Sequence, residues 1–233
     1  MIGVIGSHDR DGEWFSKNGD AGMNRECDLN EKKVKQTLKK KYVLGITGGV
    51  GSGKSTVLDI LEQNYGATII QADLVAKELM EPERESYLAI VREFGEEILA
   101  ADGSIDRQKL AAVVFSDEKK RLLLNSLTHP LVEQEMDRRI RESEGLIVLE
   151  AALPKEAAFK RLCDSVWYIH VPEEIRIERL MASRGYTREK CLQIMASQLP
   201  EQEFRALADE VIENGRTKEK TEEQIAKLLK TEV

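Results

Sequence analysis

The 233-residue chain predicts an α/β fold in which helices flank a five-stranded parallel sheet. From Tyr42 onward, short apolar runs alternate with segments of helical periodicity, as is typical of parallel strands joined by crossover helices. A glycine-rich stretch, residues 47–56, connects the first apolar run to the first helical pattern. Between Asp73 and Gly145 only helical patterns occur, which predicts a helical insert in the sheet domain.

The five predicted strands are apolar runs of three to six residues, within the usual length of buried strands. Ligands of open parallel sheets lie beyond the carboxyl ends of the strands, so we expect the functional residues directly after them. The predicted strands are residues 42–47, 67–71, 146–150, 166–171 and 210–212.

The predicted helices follow the apolar periodicity. The first runs from about Lys54 to Asn64 and stops before Gly66, a common residue at a helix end. The last covers about 222–230 and packs on the sheet through residues at helical spacing. Inside the insert the amphipathic segments are 74–80, 84–99, 106–115, 117–127 and 130–143.

One domain of moderate size accounts for most of the chain. Residues 1–40 are polar and glycine-rich, and we expect a flexible extension there. The domain covers 41–233, with a core of 41–75 and 146–233 and the helical insert at 76–145.

Composition excludes several classes of protein. The formal net charge is −7, with 33% charged residues, which argues against a nucleic-acid partner because phosphate binding needs clustered Lys and Arg. No apolar run approaches the ~20 residues of a membrane span, so no membrane partner is expected. The three cysteines are widely spaced, without a metal-ligand pattern, and indicate reduced thiols in the cytoplasm. The sequence leaves the oligomeric state open.

Residues 48–55 match the pattern Gly-x-x-x-x-Gly-Lys-Ser between a strand and a helix, the context of a phosphate loop. Glycines allow successive N–H groups to turn toward phosphate oxygens. Lys54 would reach the β- and γ-phosphates, and the Ser55 hydroxyl would ligate Mg²⁺. A glycine-rich surface turn is the alternative, which the strand–loop–helix context disfavours. The residues expected to contact a nucleotide triphosphate are Gly48, Gly49, Gly51, Ser52, Gly53, Lys54, Ser55 and Thr56.

The chain lacks the Asn-Lys-x-Asp motif of GTPases, and no Asp-x-x-Gly switch motif follows the loop. From Tyr42 to about Leu229 it resembles instead the dephospho-CoA kinases, which belong to the P-loop nucleoside and nucleotide kinases. The matching segments are residues 45–56, 70–73, 94–95, 102–107, 128–130, 179–184, Gln198, 208–209 and 214–215.

This resemblance implies a P-loop kinase fold with a helical substrate-binding insert and a short lid at about 179–190. It implies ATP-dependent phosphorylation of the ribose 3′-hydroxyl of dephospho-CoA, the last step of coenzyme A synthesis, with Mg²⁺. Asp73, just after the second strand, is then the expected base for the attacking hydroxyl. On its residue type alone, an N-cap role is equally plausible for Asp73.

Arg184 is expected to act in catalysis when the lid closes, and Arg179 and Asn214 to contact the nucleotide, with Asn214 beside the adenine. A plain turn explains Asn214 and Gly215 equally well. His129, which we expect at the entry of a helix beginning at Pro130, and Arg107 are candidates for binding dephospho-CoA. An ion pair inside the insert is an equal alternative for Arg107, and a cap or packing role is the ordinary one for His129.

Gln71 replaces the first Asp of the family's usual Asp-Ala-Asp, and the loop after Glu150 departs from the family pattern. These departures leave two alternatives open. One is another small-molecule or nucleotide kinase of the same fold, and the other is a non-catalytic module that binds ATP or CoA.

Overall fold

The computed structural model describes residues 41–115, 117–152 and 156–232. The predicted extension, 1–40, lies outside these ranges. Within them one parallel sheet has the strand order β2-β3-β1-β4-β5, which confirms the predicted five-stranded sheet. The strands are β1 (Tyr42–Thr47), β2 (Thr68–Gln71), β3 (Leu146–Glu150), β4 (Ser165–His170) and β5 (Glu210–Glu213).

The described helices begin with α1, directly after the phosphate loop, and end with α10, near the end of the chain. A short 3₁₀ helix, Glu96–Ile98, follows α3. The helices are α1 (Lys54–Tyr65), α2 (Ala72–Leu79), α3 (Glu85–Phe94), α4 (Arg107–Phe115), α5 (Glu118–Glu142), α6 (Glu156–Leu162), α7 (Glu173–Arg184), α8 (Arg188–Ala196), α9 (Glu201–Leu207) and α10 (Lys218–Glu232).

Both faces of the sheet are covered, because alternate residues of a strand point to opposite sides. Leu44 and Ile46 of β1 belong to a core with residues of α1 and α10. Val43 belongs to a second core with residues of α2, α5 and α6. At Gly45 on that face a Cβ atom would lie only 2.7 Å from the Phe159 ring, so glycine permits the close packing of α6.

The insert has a hydrophobic cluster of its own, which includes Ile90 and Phe94 of α3 and Leu110 of α4. Helix α5 joins this cluster to the sheet, since Leu124 contacts the insert cluster while Met136 belongs to the core beneath the sheet. The insert is therefore attached to the sheet domain through α5.

One prediction about the insert is wrong. The segments 117–127 and 130–143 form a single 25-residue helix, α5, with Pro130 inside it. Proline removes one backbone hydrogen bond from a helix interior and usually ends it. Here apolar contacts on both sides of Pro130 keep the helix continuous, with Leu123, Leu124 and Leu127 before it and Leu131 and Val132 after it.

None of the helices in the described ranges is long and apolar enough to cross a membrane.

Candidate active site

The phosphate loop lies at the carboxyl edge of the sheet, between β1 and α1. Gly51 and Gly53 both have φ of 77°, a conformation that suits glycine. Gly53 precedes the first turn of α1, where the Thr56 N–H donates to the Gly53 carbonyl (3.1 Å). The loop therefore curls over the amino terminus of α1, whose free N–H groups and dipole favour an anion.

At two positions of the loop, neighbouring residues lie too close to leave room for a side chain, so glycine is required there. At Gly48 a Cβ atom would lie 2.8 Å from the backbone oxygen of Ile169, on β4. At Gly53 it would lie 2.5 Å from the side-chain nitrogen of Asn214. The loop thus packs directly against the ends of β4 and β5.

Lys54 turns its ammonium group back toward the start of the loop. Its Nζ donates to the Gly48 carbonyl (2.8 Å) and lies 3.6 Å from Oε1 of Glu150. Burial lowers the pKa of Lys54, and the carboxylates of Glu150 and Asp73 partly offset this. A phosphate entering the loop would offer this largely buried cation a stronger partner than a backbone carbonyl.

Gln71 and Glu150 meet at the ends of β2 and β3, which are neighbouring strands. The Gln71 amide donates to Oε2 of Glu150 (3.3 Å), and the Glu150 side chain is nearly buried. At the position of the family's usual Asp, Gln71 therefore holds a carboxylate that contacts Lys54. The rest of the altered loop, 153–155, lies outside the described ranges.

Ser55 lies in the first turn of α1 with an exposed side chain. Within the described ranges no group of three or more His, Cys, Asp or Glu residues could hold a metal ion. The residues fit Mg²⁺ bound through one protein hydroxyl, with the remaining ligands from phosphates and water. Ser55 as the metal ligand stays a prediction.

Asp73 is the second residue of α2 and is exposed. The N-cap of this helix is Gln71, whose side chain makes no capping hydrogen bond. Asp73 therefore does not serve as the N-cap, the alternative that the sequence left open. Its negative charge partly offsets the lowering of the Lys54 pKa, so the carboxylate belongs to the electrostatic surroundings of the loop lysine.

A cavity of about 530 Å³ adjoins Asp73, between α2, α5 and α6. His129 and Thr128 reach it from α5, and Phe159 reaches it from α6. The structure corrects the expected position of His129, which lies inside α5 and not at a helix entry. It nevertheless brings His129 and Asp73 to the same cavity.

Arg107 begins α4 and is exposed. Among the described residues that line the cavity beside Asp73, Arg107 is absent. The structure therefore does not bring it to the other predicted substrate residues, and its role stays a prediction.

The predicted lid segment consists of the end of α7, a turn at Gly185 with φ of 64°, and the start of α8. Arg184 is exposed, with its guanidinium 6.0 Å from the centre of the Tyr186 ring. Arg179 is half-buried and donates to the Asn214 carbonyl (2.9 Å). Arg179 thus contacts Asn214, which follows β5 and lies next to the phosphate loop.

Asn214 supports the phosphate loop with its side chain. Its Nδ2 donates to the carbonyls of Ser52 (2.8 Å) and Gly53 (3.3 Å), and its Oδ1 accepts from the Thr221 hydroxyl (2.8 Å). Asn214 and Thr221 are both buried. In this structure the amide is thus engaged by protein groups, and its contact with a nucleotide stays a prediction.

Arg176 is a residue that the sequence analysis missed. It donates from Nε to the Val50 carbonyl (2.8 Å) and from Nη2 to Oε1 of Gln198 (3.1 Å). The same Gln198 oxygen accepts from the Val50 N–H (2.9 Å). Arg176 lies three residues before Arg179 on α7, and this spacing, which puts both on one helix face, could have suggested it.

The chain is similar to known dephospho-CoA kinases. The family model of dephospho-CoA kinase matches residues 42–219. A dephospho-CoA kinase from Carboxydothermus hydrogenoformans is 44% identical over 191 residues, which cover 80% of this chain and 92% of the relative.

Two solved structures show the same architecture. A Thermus thermophilus protein of 31% identity has a TM-score of 0.69 over 83% of this chain and 98% of its own. For the dephospho-CoA kinase from Campylobacter jejuni the identity is 23% and the TM-score 0.54, over 83% of this chain and 98% of its own, a likeness of fold. With the match to the family model and the 44% identity, these findings show that the chain belongs to the dephospho-CoA kinase family, whose members are kinases.

Proposed function

We propose that this protein transfers the terminal phosphoryl group of ATP to the ribose 3′-hydroxyl of dephospho-CoA, giving coenzyme A and ADP. One observation supports this most directly. Asp73 lines the cavity between α2, α5 and α6, and its charge also contributes to the surroundings of Lys54. An acceptor in that cavity would present its hydroxyl between a carboxylate and the phosphate loop.

The triphosphate would bind in the phosphate loop, with its β- and γ-phosphates at Lys54 and the loop amides. Ser55 would hold Mg²⁺, which neutralises charge on the phosphate oxygens during transfer. A groove of about 590 Å³ beside Asn214, lined among others by Pro172, Ile175 and Gly215, is where we place the adenine. Its lining includes Glu213 and Gly215, the neighbours of Asn214 in the sequence, and Pro172 and Ile175 make part of it apolar.

Asp73 would accept the proton of the attacking hydroxyl. Phosphoryl transfer requires in-line placement of the acceptor more than covalent participation by the protein. A carboxylate at the second position of α2, directly after β2, could accept a hydrogen bond from the attacking hydroxyl and so help to orient it.

The cavity beside Asp73 suits an acceptor with a long, partly apolar arm. Val132 and Met136 of α5 and Phe159 of α6 give it an apolar wall, while Asn125 and His129 are polar. We place the dephospho-CoA arm along this wall, with His129 as a polar contact. Arg107, which begins α4 outside the cavity lining, would reach the acceptor only if the insert moved toward the site.

Arg184 would act by closing over the triphosphate. Its exposed guanidinium lies at the end of α7, next to Gly185, whose left-handed backbone marks a change of direction. Exclusion of water by such a lid prevents ATP hydrolysis when no acceptor is bound.

We also propose that the protein works in the cytoplasm on small molecules, without a nucleic-acid partner. The net charge of −7 supports this, since nucleic-acid binding surfaces are basic.

The proposed reaction is tested by ADP release from ATP and Mg²⁺ with dephospho-CoA, with AMP, or with no acceptor. We expect turnover only with dephospho-CoA, with coenzyme A as the product. Turnover with AMP alone would identify a nucleotide kinase of the same fold. Binding of ATP without turnover on either acceptor would favour a non-catalytic module.

A further inference from the structure

The tip of the phosphate loop, residues 49–51, is held by groups that lie far away in the sequence. The peptide groups of Val50 are bonded on both sides, with its N–H donating to Gln198 Oε1 (2.9 Å) and its carbonyl accepting from Arg176 Nε (2.8 Å). Arg176 Nη2 closes the network by donating to the same Gln198 oxygen (3.1 Å). We call Arg176 and Gln198 the tip clamp.

The side chain of Val50 is anchored as well. It packs against the apolar cluster of Ile177 and Leu180 on α7 and Cys191 on α8. The loop tip is thus attached to the two helices that flank the predicted lid. A movement of α7 or α8 would therefore also move the tip of the loop.

The clamp lies on the side of the loop where the terminal phosphate is expected. The Lys54 ammonium reaches the β- and γ-phosphates of a bound triphosphate, and here it lies at the Gly48 carbonyl (2.8 Å), next to the tip. In the sequence, α1 begins at Lys54, at the other end of the loop, and its first N–H groups would hold the inner phosphates.

We propose that Arg176 and Gln198 are positioning residues that shape the loop tip for the terminal phosphate and so select ATP over ADP. The inference rests on the proposed binding of ATP in this loop but not on the identity of the acceptor. The proposal also explains why residue 49 is a glycine, because a Cβ atom at Gly49 would lie 2.4 Å from Arg176 Nη2. A side chain at Gly49 would displace the guanidinium.

The test is direct binding of ATP and of ADP, each with Mg²⁺ and without acceptor, to wild type and to Arg176→Ala. Hydrogen bonds to charged groups contribute an amount of free energy that corresponds to about 10–100-fold in a binding constant. We expect ATP affinity to fall by about that factor and ADP affinity to stay unchanged. Arg141→Ala, at the end of α5 on the opposite edge of the sheet, is the control with both affinities unchanged.

Gln198→Ala should repeat the selective loss of ATP affinity, and Gln193→Ala, an exposed glutamine on α8, should not. Gly49→Ala should act through Arg176, so that the double variant with Arg176→Ala binds ATP no more weakly than Arg176→Ala alone. Equal losses of ATP and ADP affinity would overturn the proposal in favour of general loop stability, and unchanged ATP affinity would overturn it outright. Selective ATP binding without turnover on dephospho-CoA would refute only the proposed reaction.

Discussion

At the scale of single residues, Lys54 owes its position to its neighbours as much as to the phosphate-loop motif. Its ammonium donates to Gly48 and lies close to Glu150, which the Gln71 amide contacts in turn. Burial disfavours the charged form of Lys54 and so lowers its pKa. The carboxylates of Glu150 and Asp73 partly offset this lowering. The cation therefore lies inside the loop with protein partners that a bound triphosphate would replace.

Asp73→Asn should lower the turnover number by about 10²–10⁴-fold, the usual contribution of a general base. The amide cannot take the proton but keeps the size of the side chain, so ATP affinity should change little. Steady-state kinetics with dephospho-CoA and direct ATP binding measure the two effects separately. Asp59→Asn, on the exposed side of α1, is a matched control. Unchanged turnover in Asp73→Asn would refute Asp73 as the base.

At the scale of elements, helix α5 joins the insert to the sheet domain and forms one wall of the cavity beside Asp73. Its surface beside α2 has an ion-pair network in which Glu135 accepts from Arg138 and Arg139, and Arg139 also pairs with Glu78 of α2. These pairs lower the pKa of Glu135 to about 2, with the hydrogen bond from Arg138 as the main cause. The network therefore attaches α5 to α2, the helix that bears Asp73.

The pKa of Glu135 predicts a pH-dependent contribution to stability. Because the folded-state pKa is lowered from 4.5 to about 2, the contribution is present above about pH 4.5 and disappears as the pH falls toward 2. Because Arg138 is half exposed, screening by solvent reduces this contribution to the free energy of unfolding to about 1 kcal/mol. Urea unfolding should show Glu135→Gln less stable by that amount at pH 7, and the difference from wild type should shrink at pH 3.

Glu142→Gln on the same helix is the control for Glu135→Gln. Glu142 is 61% exposed and, among the residues that the structure describes, pairs with Arg138 alone, so its replacement should lower the stability less at pH 7. A difference between wild type and Glu135→Gln that stays constant from pH 7 to pH 3 would contradict the assignment of the pH dependence to this network.

At the scale of the whole molecule, the phosphate loop is supported from the far end of the chain. Asn214, after β5, bonds the carbonyls of Ser52 and Gly53, and α10 holds Asn214 through Thr221. Arg176 and Gln198 hold the other part of the loop. The shape of the nucleotide site therefore depends on the complete fold.

Asn214→Ala should lower the free energy of unfolding by about 2–3 kcal/mol, because it removes the hydrogen bonds of this amide with the Ser52 and Gly53 carbonyls and the buried Thr221 hydroxyl. Urea denaturation measures this, with Asn64→Ala near the end of α1 as a control. Nucleotide affinity should fall as well, since the Ser52–Gly53 backbone loses its support. A loss no greater than that of Asn64→Ala would show that the amide does not stabilise the loop.

Nucleotide binding should stabilise the whole fold. At a free ADP concentration 100 times its Kd, linkage gives about 2.7 kcal/mol, and the melting temperature should rise by several degrees. Lys54→Ala should reduce this shift at the same ADP concentration, whereas Lys227→Ala on the surface of α10 should not. A full shift in Lys54→Ala would place the nucleotide outside the loop.

The sequence by itself determined the strands, the phosphate loop and the family resemblance, because apolar alternation and motif spacing are local properties of the chain. All five predicted strands are confirmed, with bounds shifted by at most one residue. Only the tertiary structure decided that α5 continues through Pro130, since contacts on both sides outweigh the lost backbone bond. It alone revealed the bond between Arg176 and Val50, 126 positions apart. Such contacts depend on how distant elements pack, which no local pattern records.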